Sequence, residues 1–406
     1  MTKHVVVAGA GHAAGQLAQS LRMDGFEGKI TLIGDEPYAP YQRPPLSKGL
    51  IAGTETVDDL YLRQAGGYDD ISVDLVLGKR VEKIDRVAKS VVLSDGKTLS
   101  YDTLVLATGT RVRELPVPDA KLSGVHYLRT LDDALALQQA MAAGKNLTVI
   151  GGGFIGLEIA ASAAKAGLNV TVLEAADRLM GRAVSNEISA FYKAHHEAQG
   201  VSVKTGVGIS ALNGEAAVEA VELADGSTLA SDLVVIGIGV LPNSELASEA
   251  GLETDNGIVV DELCRTTDHE ILAIGDCTNH PNAFAGTRMR LESVQNAVDQ
   301  ARTASQVICG TPKPYSALPW FWSDQFDLRL QIAGLITGST NAVVRQGEET
   351  DSFSVFHYGS EGIIACEAVS APKDFMAAKM MIAKKINPDP AQLADPSIPI
   401  RDLMRG

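Results

Sequence analysis

Residues 3–15 read KHVVVAGAGHAAG. Val5, Val6, Val7 and Ala8 form an apolar run without polar alternation, the pattern of a strand buried on both faces. Gly9-Ala10-Gly11-His12-Ala13-Ala14 then satisfies G-x-G-x-x-G/A, and residues 16–22 continue as a helix-compatible run. Strand, glycine turn and helix together are the context in which this spacing binds a dinucleotide. Gly9 permits the tight turn, and Gly11 lets the backbone approach a pyrophosphate whose charge the helix N-terminus receives. A second strand is expected at residues 29–33, followed by Asp35, about where an acid accepts a hydrogen bond from a ribose hydroxyl.

The pattern returns at residues 146–156, NLTVIGGGFIG. Leu147 to Ile150 is the apolar strand, Gly151-Gly152-Gly153-Phe154-Ile155-Gly156 is a full G-x-G-x-x-G, and residues 157–166 read as its helix. A further strand at residues 169–173 leads into Glu174, 18 residues after Gly156. Residues 91–109 (VVLSDGKTLSYDTLVLATG) and 221–239 (VELADGSTLASDLVVIGIG) match at a constant offset of 130 without a gap. Each carries an Asp-Gly pair, the signal of a type I′ hairpin, then Asp102 or Asp232 ahead of an apolar strand ending in a glycine turn. Two such units predict two dinucleotides; the alternative is a duplicated scaffold with one silent site.

At 406 residues the chain calls for two or three domains, and 45% hydrophobic residues with 39 glycines suit an α/β protein rich in tight turns. A net charge of -15 argues against nucleic-acid binding over most of the surface. No apolar run approaches the ~20 residues that span a bilayer, and the chain enters a strand at once. A cytoplasmic protein without a membrane partner is expected. Cys264, Cys277, Cys309 and Cys366 form no close pair and read as buried thiols rather than disulfides.

Four prolines within residues 37–48 (PYAPYQRPPLSK) exclude helix interior and central strand, leaving a stiff connector from which Arg43, Ser47 and Lys48 project. Strands are expected at 257–260 and 271–274, the latter running into Gly275-Asp276, and a helix at 291–308. An acid at the C-terminal end of a buried strand faces the ligand crevice of an open α/β sheet. From Pro319 the composition shifts: both tryptophans lie within 320–322, strands are expected at 330–335, 342–345, 353–358 and 362–369, and a helix at 374–386. The expected organisation is two Rossmann-like dinucleotide-binding domains plus a C-terminal α+β domain. Residues 1–110 with 240–318 form one, 111–239 the second, and 319–406 the α+β domain.

Two nucleotide sites in one chain imply one tightly held cofactor and one diffusible one, most economically FAD and a nicotinamide nucleotide, with hydride passing from nicotinamide to flavin. Glu174 suits the unphosphorylated adenosine ribose and would repel a 2′-phosphate, favouring NADH; Arg178 and Arg182 nearby pull the other way.

The chain resembles the FAD-dependent ferredoxin reductases of bacterial oxygenase systems. The matching stretches are the Gly9 loop, RPPLSK (43–48), LATG (106–109), LRT (128–130), GGGFIGLE (151–158), GVLPN (239–243), AIGD (273–276), ESV (292–294) and PWFWSDQ (319–325). They run in order along the whole chain, and RPPLSK and PWFWSDQ are far more specific than the glycine loops. The resemblance implies a fold like that of glutathione reductase. It implies FAD held by Gly9, Gly11, Ala13, Ala14, Asp35, Arg43, Lys48, Val81, Thr108, Gly109, Arg129, Asp276, Glu292, Val294 and Trp322. For NAD it implies Gly151, Gly153, Ile155, Gly156, Glu158, Glu174 and Gly239. Lys48 would place positive charge near flavin N5 and O4 and pair with Glu158; Asp276 would bond the ribityl chain; Arg129 would serve a phosphate or the adenine; Trp322 would lie near the flavin ring, under the C-terminal domain. For each, the plain alternative is a surface salt bridge, a turn residue or a core aromatic, and His12 reads as structural. No cysteine occurs between residues 34 and 60, so no thiol relay is available and electrons should leave for an outside acceptor. The implied acceptor is a [2Fe-2S] ferredoxin serving a cytochrome P-450 or Rieske oxygenase. Residues 373–406 hold six Lys/Arg against four Asp; Lys379, Lys384 and Lys385, with Arg288 and Arg290, are the candidate basic docking face. The competing expectations are an NADH oxidase or diaphorase-like flavoprotein and an NADH-sensing interaction flavoprotein.

Overall fold

The computed structural model describes residues 3–64 and 66–404; the outermost residues of the expected domains lie outside them. The chain forms two compact units. The first comprises Met1–Arg43, Val57–Arg111 and Leu241–Pro319, and the second Pro44–Thr56, Val112–Val240 and Trp320–Gly406.

The first unit is built on a five-stranded parallel sheet in the order Ile271–Ala273, Thr103–Leu106, His4–Ala8, Lys29–Ile33, Val73–Val76. His4–Ala8 is central, which is why it reads as continuously apolar. Val5 and Val7 face one core with Leu17 and Leu21 of the helix His12–Met23 and Ala297, Ala301 and Ala304 of the helix Val294–Ile308. Val6 and Ala8 face another, closed by Ile84, Val91 and Leu93 of a three-stranded antiparallel sheet.

The second unit repeats the plan. Its parallel sheet runs Ser202–Thr205, Asn169–Glu174, Asn146–Ile150, Leu233–Ile236, Val125–Tyr127. Leu147 and Val149 pack on the helix Phe154–Lys165, whereas Ile150 faces a second three-stranded meander through Leu212, Val221 and Leu223. Residues 320–404 add an antiparallel sheet ordered Trp320–Gln325, Leu328–Gly334, Gly362–Val369, Phe353–Gly359, Asn341–Gln346, with the helix Pro372–Lys384 against it. Leu328, Leu330, Ile332, Val355 and Val369 belong to the same core as Leu147 and Val149.

Asp102 and Asp232 explain their repetition. Asp102 accepts a hydrogen bond from the His4 amide at 2.7 Å, and Asp232 accepts from the amides of Lys145 and Asn146, so each fixes the start of a central strand. The expected type I′ hairpins are not formed. Gly96 and Gly226 take positive φ (82° and 84°), whereas Asp95 and Asp225 are not among the residues that do. Each Asp carboxylate accepts from the backbone two residues on, a local bond that keeps it out of the left-handed region. The result is a type I turn followed by a left-handed glycine. The helix expected from residue 291 begins at Val294, because Ser293 caps it with its hydroxyl on the Asn296 amide. Residues 320–325 form a strand that the aromatic run had not announced. No helix among the described residues is long and apolar enough to cross a membrane.

Candidate functional site

Each unit presents one glycine cradle at the C-terminal edge of its parallel sheet. In the first, Gly9 adopts φ +124°, and a Cβ there would lie 2.2 Å from the Ala107 carbonyl oxygen, so only glycine allows the turn. Gly11 caps the helix His12–Met23 in extended conformation with no side-chain bond to the helix amides, and a Cβ on it would meet nothing within 4 Å. The second repeats this. Gly151 has φ +111° with its virtual Cβ 2.4 Å from the Gly237 oxygen, and Gly153 caps Phe154–Lys165 with open space before it. A Cβ on Gly156 would fall 2.1 Å from the Gly151 oxygen, so this residue sets the close approach of helix to strand. Bare helix amides facing open space are what a pyrophosphate requires, and the residues at both loops fit a dinucleotide.

The other expected residues separate by unit. Around the first cradle, Ala14 is fully buried, Ala13 is nearly so, and Val81 is buried at the start of its strand. The Thr108 hydroxyl donates to the Asn243 carbonyl at 2.6 Å, the Asn243 amide donates back to Thr108, and Gly109 takes φ +61° beside them. Asp276 follows the strand Ile271–Ala273 through the left-handed Gly275. Val294 opens its helix, and Glu292 pairs with Arg290 at 2.5 Å. Asp35 is largely exposed and pairs with Arg80 at 3.3 Å. Glu36, which the sequence did not single out, is the acid held inside: it accepts from Tyr41 and from Arg43, both at 2.6 Å. The Arg288 guanidinium is spent on the Val260 and Asn279 carbonyls, so with Arg290 paired neither is an idle cation.

In the second unit Glu174 ends its strand. Its carboxylate accepts from the Gly152 amide at 2.7 Å and the Ala176 amide at 2.8 Å, which aims it across the glycine loop with lone pairs to spare. Arg178 donates to the carbonyls of Gly181, Val184 and Ser185, so it braces its own loop. Arg182 is exposed near Gly239, which has φ +104°. Ile155 is half exposed at the start of the helix. Arg129 precedes the capping box of Thr130 and Asp133, and its amide donates to Asp133.

Lys48 and Glu158 meet: Nζ lies 2.8 Å from Oε1, with Glu158 only 2% exposed. Ser47 donates to the other carboxylate oxygen at 2.5 Å and Ser323 to Oε1 at 2.6 Å. Behind Ser323 stand Gln325 and His196, which sequence reading missed. The signal for Ser323 and Gln325 was the alternation of residues 320–325, which sets Trp320, Trp322 and Asp324 on one face of the strand and Phe321, Ser323 and Gln325 on the other. Trp322 stacks on Trp320 (centroids 5.5 Å apart), and Lys379 Nζ lies 4.7 Å from the Trp320 ring centroid. Lys384 ends its helix exposed, and Lys385 follows in left-handed conformation. All four cysteines are free; burial raises the pKa of Cys264, Cys277 and Cys366.

Comparison with known proteins agrees with this layout. Residues 3–301 match the pyridine nucleotide-disulphide oxidoreductase family, and residues 320–404 match the reductase C-terminal family. The chain belongs to the pyridine nucleotide-disulphide oxidoreductase family, and is an oxidoreductase that uses FAD and NAD(H). It is 47% identical to rhodocoxin reductase of Rhodococcus erythropolis over 394 residues, covering 96% of this chain and 92% of that one. It is 41% identical to putidaredoxin reductase of Pseudomonas putida over 407 residues, covering 99% and 96%. Among solved structures, the covalent putidaredoxin reductase–putidaredoxin complex superimposes with a TM-score of 0.96 at 41% identity, over 99% of this chain and 98% of that one.

Proposed function

We propose that this protein is an NADH-dependent ferredoxin reductase that supplies single electrons to a [2Fe-2S] ferredoxin of a cytochrome P-450 or Rieske oxygenase system. The observation that carries the reading is the pair of open glycine cradles, one in each unit, in a chain similar end to end to reductases named for redoxins. The four cysteines are free and three of them are buried, which suits electron transfer without a thiol relay.

In this reading the first cradle seats FAD, with Gly9, Gly11, Ala13, Ala14, Asp35, Arg43, Val81, Thr108, Gly109, Asp276, Glu292 and Val294 around it. The family resemblance assigns Lys48, Arg129 and Trp322 to FAD as well. FAD, when bound, supplies the chemistry that accepts a hydride and yields electrons one at a time. Gly151, Gly153, Ile155 and Gly156 receive the NADH pyrophosphate on bare helix amides, with Gly239 across the loop. Glu174, held by two amides, accepts from ribose hydroxyls and repels a 2′-phosphate, and Arg178 spends three hydrogen bonds on its own loop, which leaves the exposed Arg182 as the nearby cation. Lys48 brings positive charge that Glu158 steadies. Residues 1–110 with 240–318, 111–239 and 319–406 are the corresponding FAD, NAD and C-terminal domains, and the protein works in the cytoplasm. The lysines Lys379, Lys384 and Lys385 form a basic docking face for an acidic ferredoxin.

NADH-driven cytochrome c reduction, with and without a [2Fe-2S] ferredoxin, tests this. Strong dependence on ferredoxin with NADH far ahead of NADPH is expected, as is a preference for NADH that collapses in Glu174→Ser. Charge reversal at Lys384 and Lys385 should raise the ferredoxin KM and flatten its salt dependence; unchanged values would refute the docking face. Rapid NADH consumption without ferredoxin would establish the oxidase reading instead.

A further inference from the structure

The chain of hydrogen bonds behind Lys48 and Glu158 runs in one direction only. Lys48 can only donate, so Glu158 Oε1 accepts from it. The Ser323 hydroxyl donates to the same oxygen and therefore meets Gln325 Nε2, 3.2 Å away, as acceptor. That turns Gln325 Oε1 toward His196, whose Nε2, 2.9 Å away, must carry the hydrogen. Ser323, Gln325 and His196 are at most 1% exposed, and His196 Nδ1 is buried without a partner among the described residues. Burial lowers the His196 pKa to about 4, in keeping with a neutral ring.

The three donors to Glu158 come from two places. Ser47 and Lys48 are adjacent and grip one carboxylate oxygen each. Two donors on one short turn leave the carboxylate free to rock with that turn. Ser323, on the strand Trp320–Gln325, is the donor that ties it to the C-terminal sheet. Ser323 is itself fixed by Gln325, and Gln325 by His196 on the helix Asn186–Ala198.

We propose that Ser323 and Gln325, backed by His196, are positioning residues that hold the Glu158 carboxylate, and through it the Lys48 ammonium, in the orientation hydride transfer requires. This rests on the reading that Lys48 serves the redox site. Every bond in the chain polarises the next toward the carboxylate, so loss of one member loosens all the others.

The test uses the FAD-loaded protein and two readouts. The first is the limiting rate of flavin bleaching by NADH in stopped flow. The second is acetylation of Lys48 by acetic anhydride, read by mass spectrometry against the exposed Lys145. Ser323→Ala and Gln325→Leu should each slow bleaching about tenfold, the scale of a lost charge-assisted hydrogen bond. They should also raise Lys48 acetylation severalfold and leave NADH affinity near wild type, while the buried groups left unpaired lower the melting temperature. Ser323→Thr, which keeps the hydroxyl on a strand that accepts β-branched residues, should restore both readouts. If Ser323→Ala changes neither readout while Lys48→Met slows bleaching, the positioning role is wrong and the reading of Lys48 stands. If Lys48→Met bleaches at the wild-type rate, the reading of Lys48 itself fails. Equal slowing by Ser323→Ala and Ser323→Thr with equal loss of melting temperature would also overturn the proposal, because packing and not the hydroxyl would then be responsible.

Discussion

Gly153 and Gly156 lie three residues apart in one motif, and an alanine at each should fail in opposite ways. Gly153 has φ -82°, which alanine adopts freely, and a Cβ there meets nothing within 4 Å. Replacing glycine at an unstrained position gains about 0.4–1 kcal/mol from the unfolded chain, while alanine caps a helix somewhat less well than glycine. The two nearly cancel, so Gly153→Ala should melt with wild type. The added methyl nevertheless occupies the space over the bare amides of Phe154–Lys165. Losing one backbone hydrogen bond to a charged phosphate costs about 1.5–3 kcal/mol, so NAD⁺ should bind about 10- to 150-fold more weakly. At Gly156 the Cβ would lie 2.1 Å from a backbone oxygen that cannot turn aside, and 3.2 Å from Val149 Cγ1. The helix must then lift off its strand, withdrawing the fully buried Leu157 and Ile159 from their core. Overpacking of this kind costs about 1–3 kcal/mol, which lowers the melting temperature by about 2–12 °C in a domain of ~200 residues. Calorimetric NAD⁺ titration and thermal melting of both variants separate the two effects. Wild-type NAD⁺ affinity in Gly153→Ala would show that the phosphates are not seated on this helix; a wild-type melting temperature in Gly156→Ala would refute the packing argument.

Two further outcomes follow from buried groups. Burial lowers the pKa of both His196 and His280 to about 4, with Arg288 adding to the effect at His280, whereas histidine in the unfolded chain titrates near 6.5. Between these values the unfolded chain binds more protons, so stability should fall as pH drops through 6.5 and level off below 4, by up to about 3 kcal/mol per residue. His280→Phe, which preserves the edge contact with Tyr315, should flatten the melting profile between pH 7 and 5, and an unchanged slope would be evidence against it. Arg345, 6% exposed, donates to the carbonyls of Leu393, Asp395 and Ile398 and lies 3.7 Å from Asp374. Arg345→Met should weaken docking of the tail by about 3–5 kcal/mol, and limited proteolysis should then cut within residues 388–398 far faster than in wild type.

The parallel sheets were legible because their evidence is local. A central strand must be apolar on both faces, a glycine turn must follow it, and an aspartate must fasten its start, and each of these features recurs in the second unit. What escaped detection depends on partners distant in sequence. Nothing near residues 44–56 shows that this connector packs with the second unit, although that is what brings Ser47 and Lys48 to Glu158, 111 and 110 positions away. Nor does any short window show that Ser323 and Gln325 of WFWSDQ serve a buried carboxylate, or that a histidine late in a surface helix faces inward. The hairpins failed for another reason: Asp-Gly suits two turn types, and the side-chain bond made by aspartate decides between them.

The two repeats also show where a duplicated scaffold diverges. In the first sheet Gly9 donates to Ile33, and in the second Gly151 donates to Leu173, so Ile33 and Leu173 are equivalent. The next residue is Glu174 in the second unit but Gly34 in the first, where a Cβ would lie 2.6 Å from that of Ala10. The first cradle therefore has no room for an acid at the position where the second carries one. Its nearest carboxylates come one and two residues later, on Asp35 and Glu36. Glu36 is committed to Tyr41 and Arg43 in a half-buried pair, and turning it toward a ribose would break both bonds. Asp35 gives up only an exposed contact with Arg80, which solvent replaces at little cost. Of the two, Asp35 is the carboxylate that the first unit can spare for a ligand, and it stands one residue further past the strand than Glu174 does in the second unit.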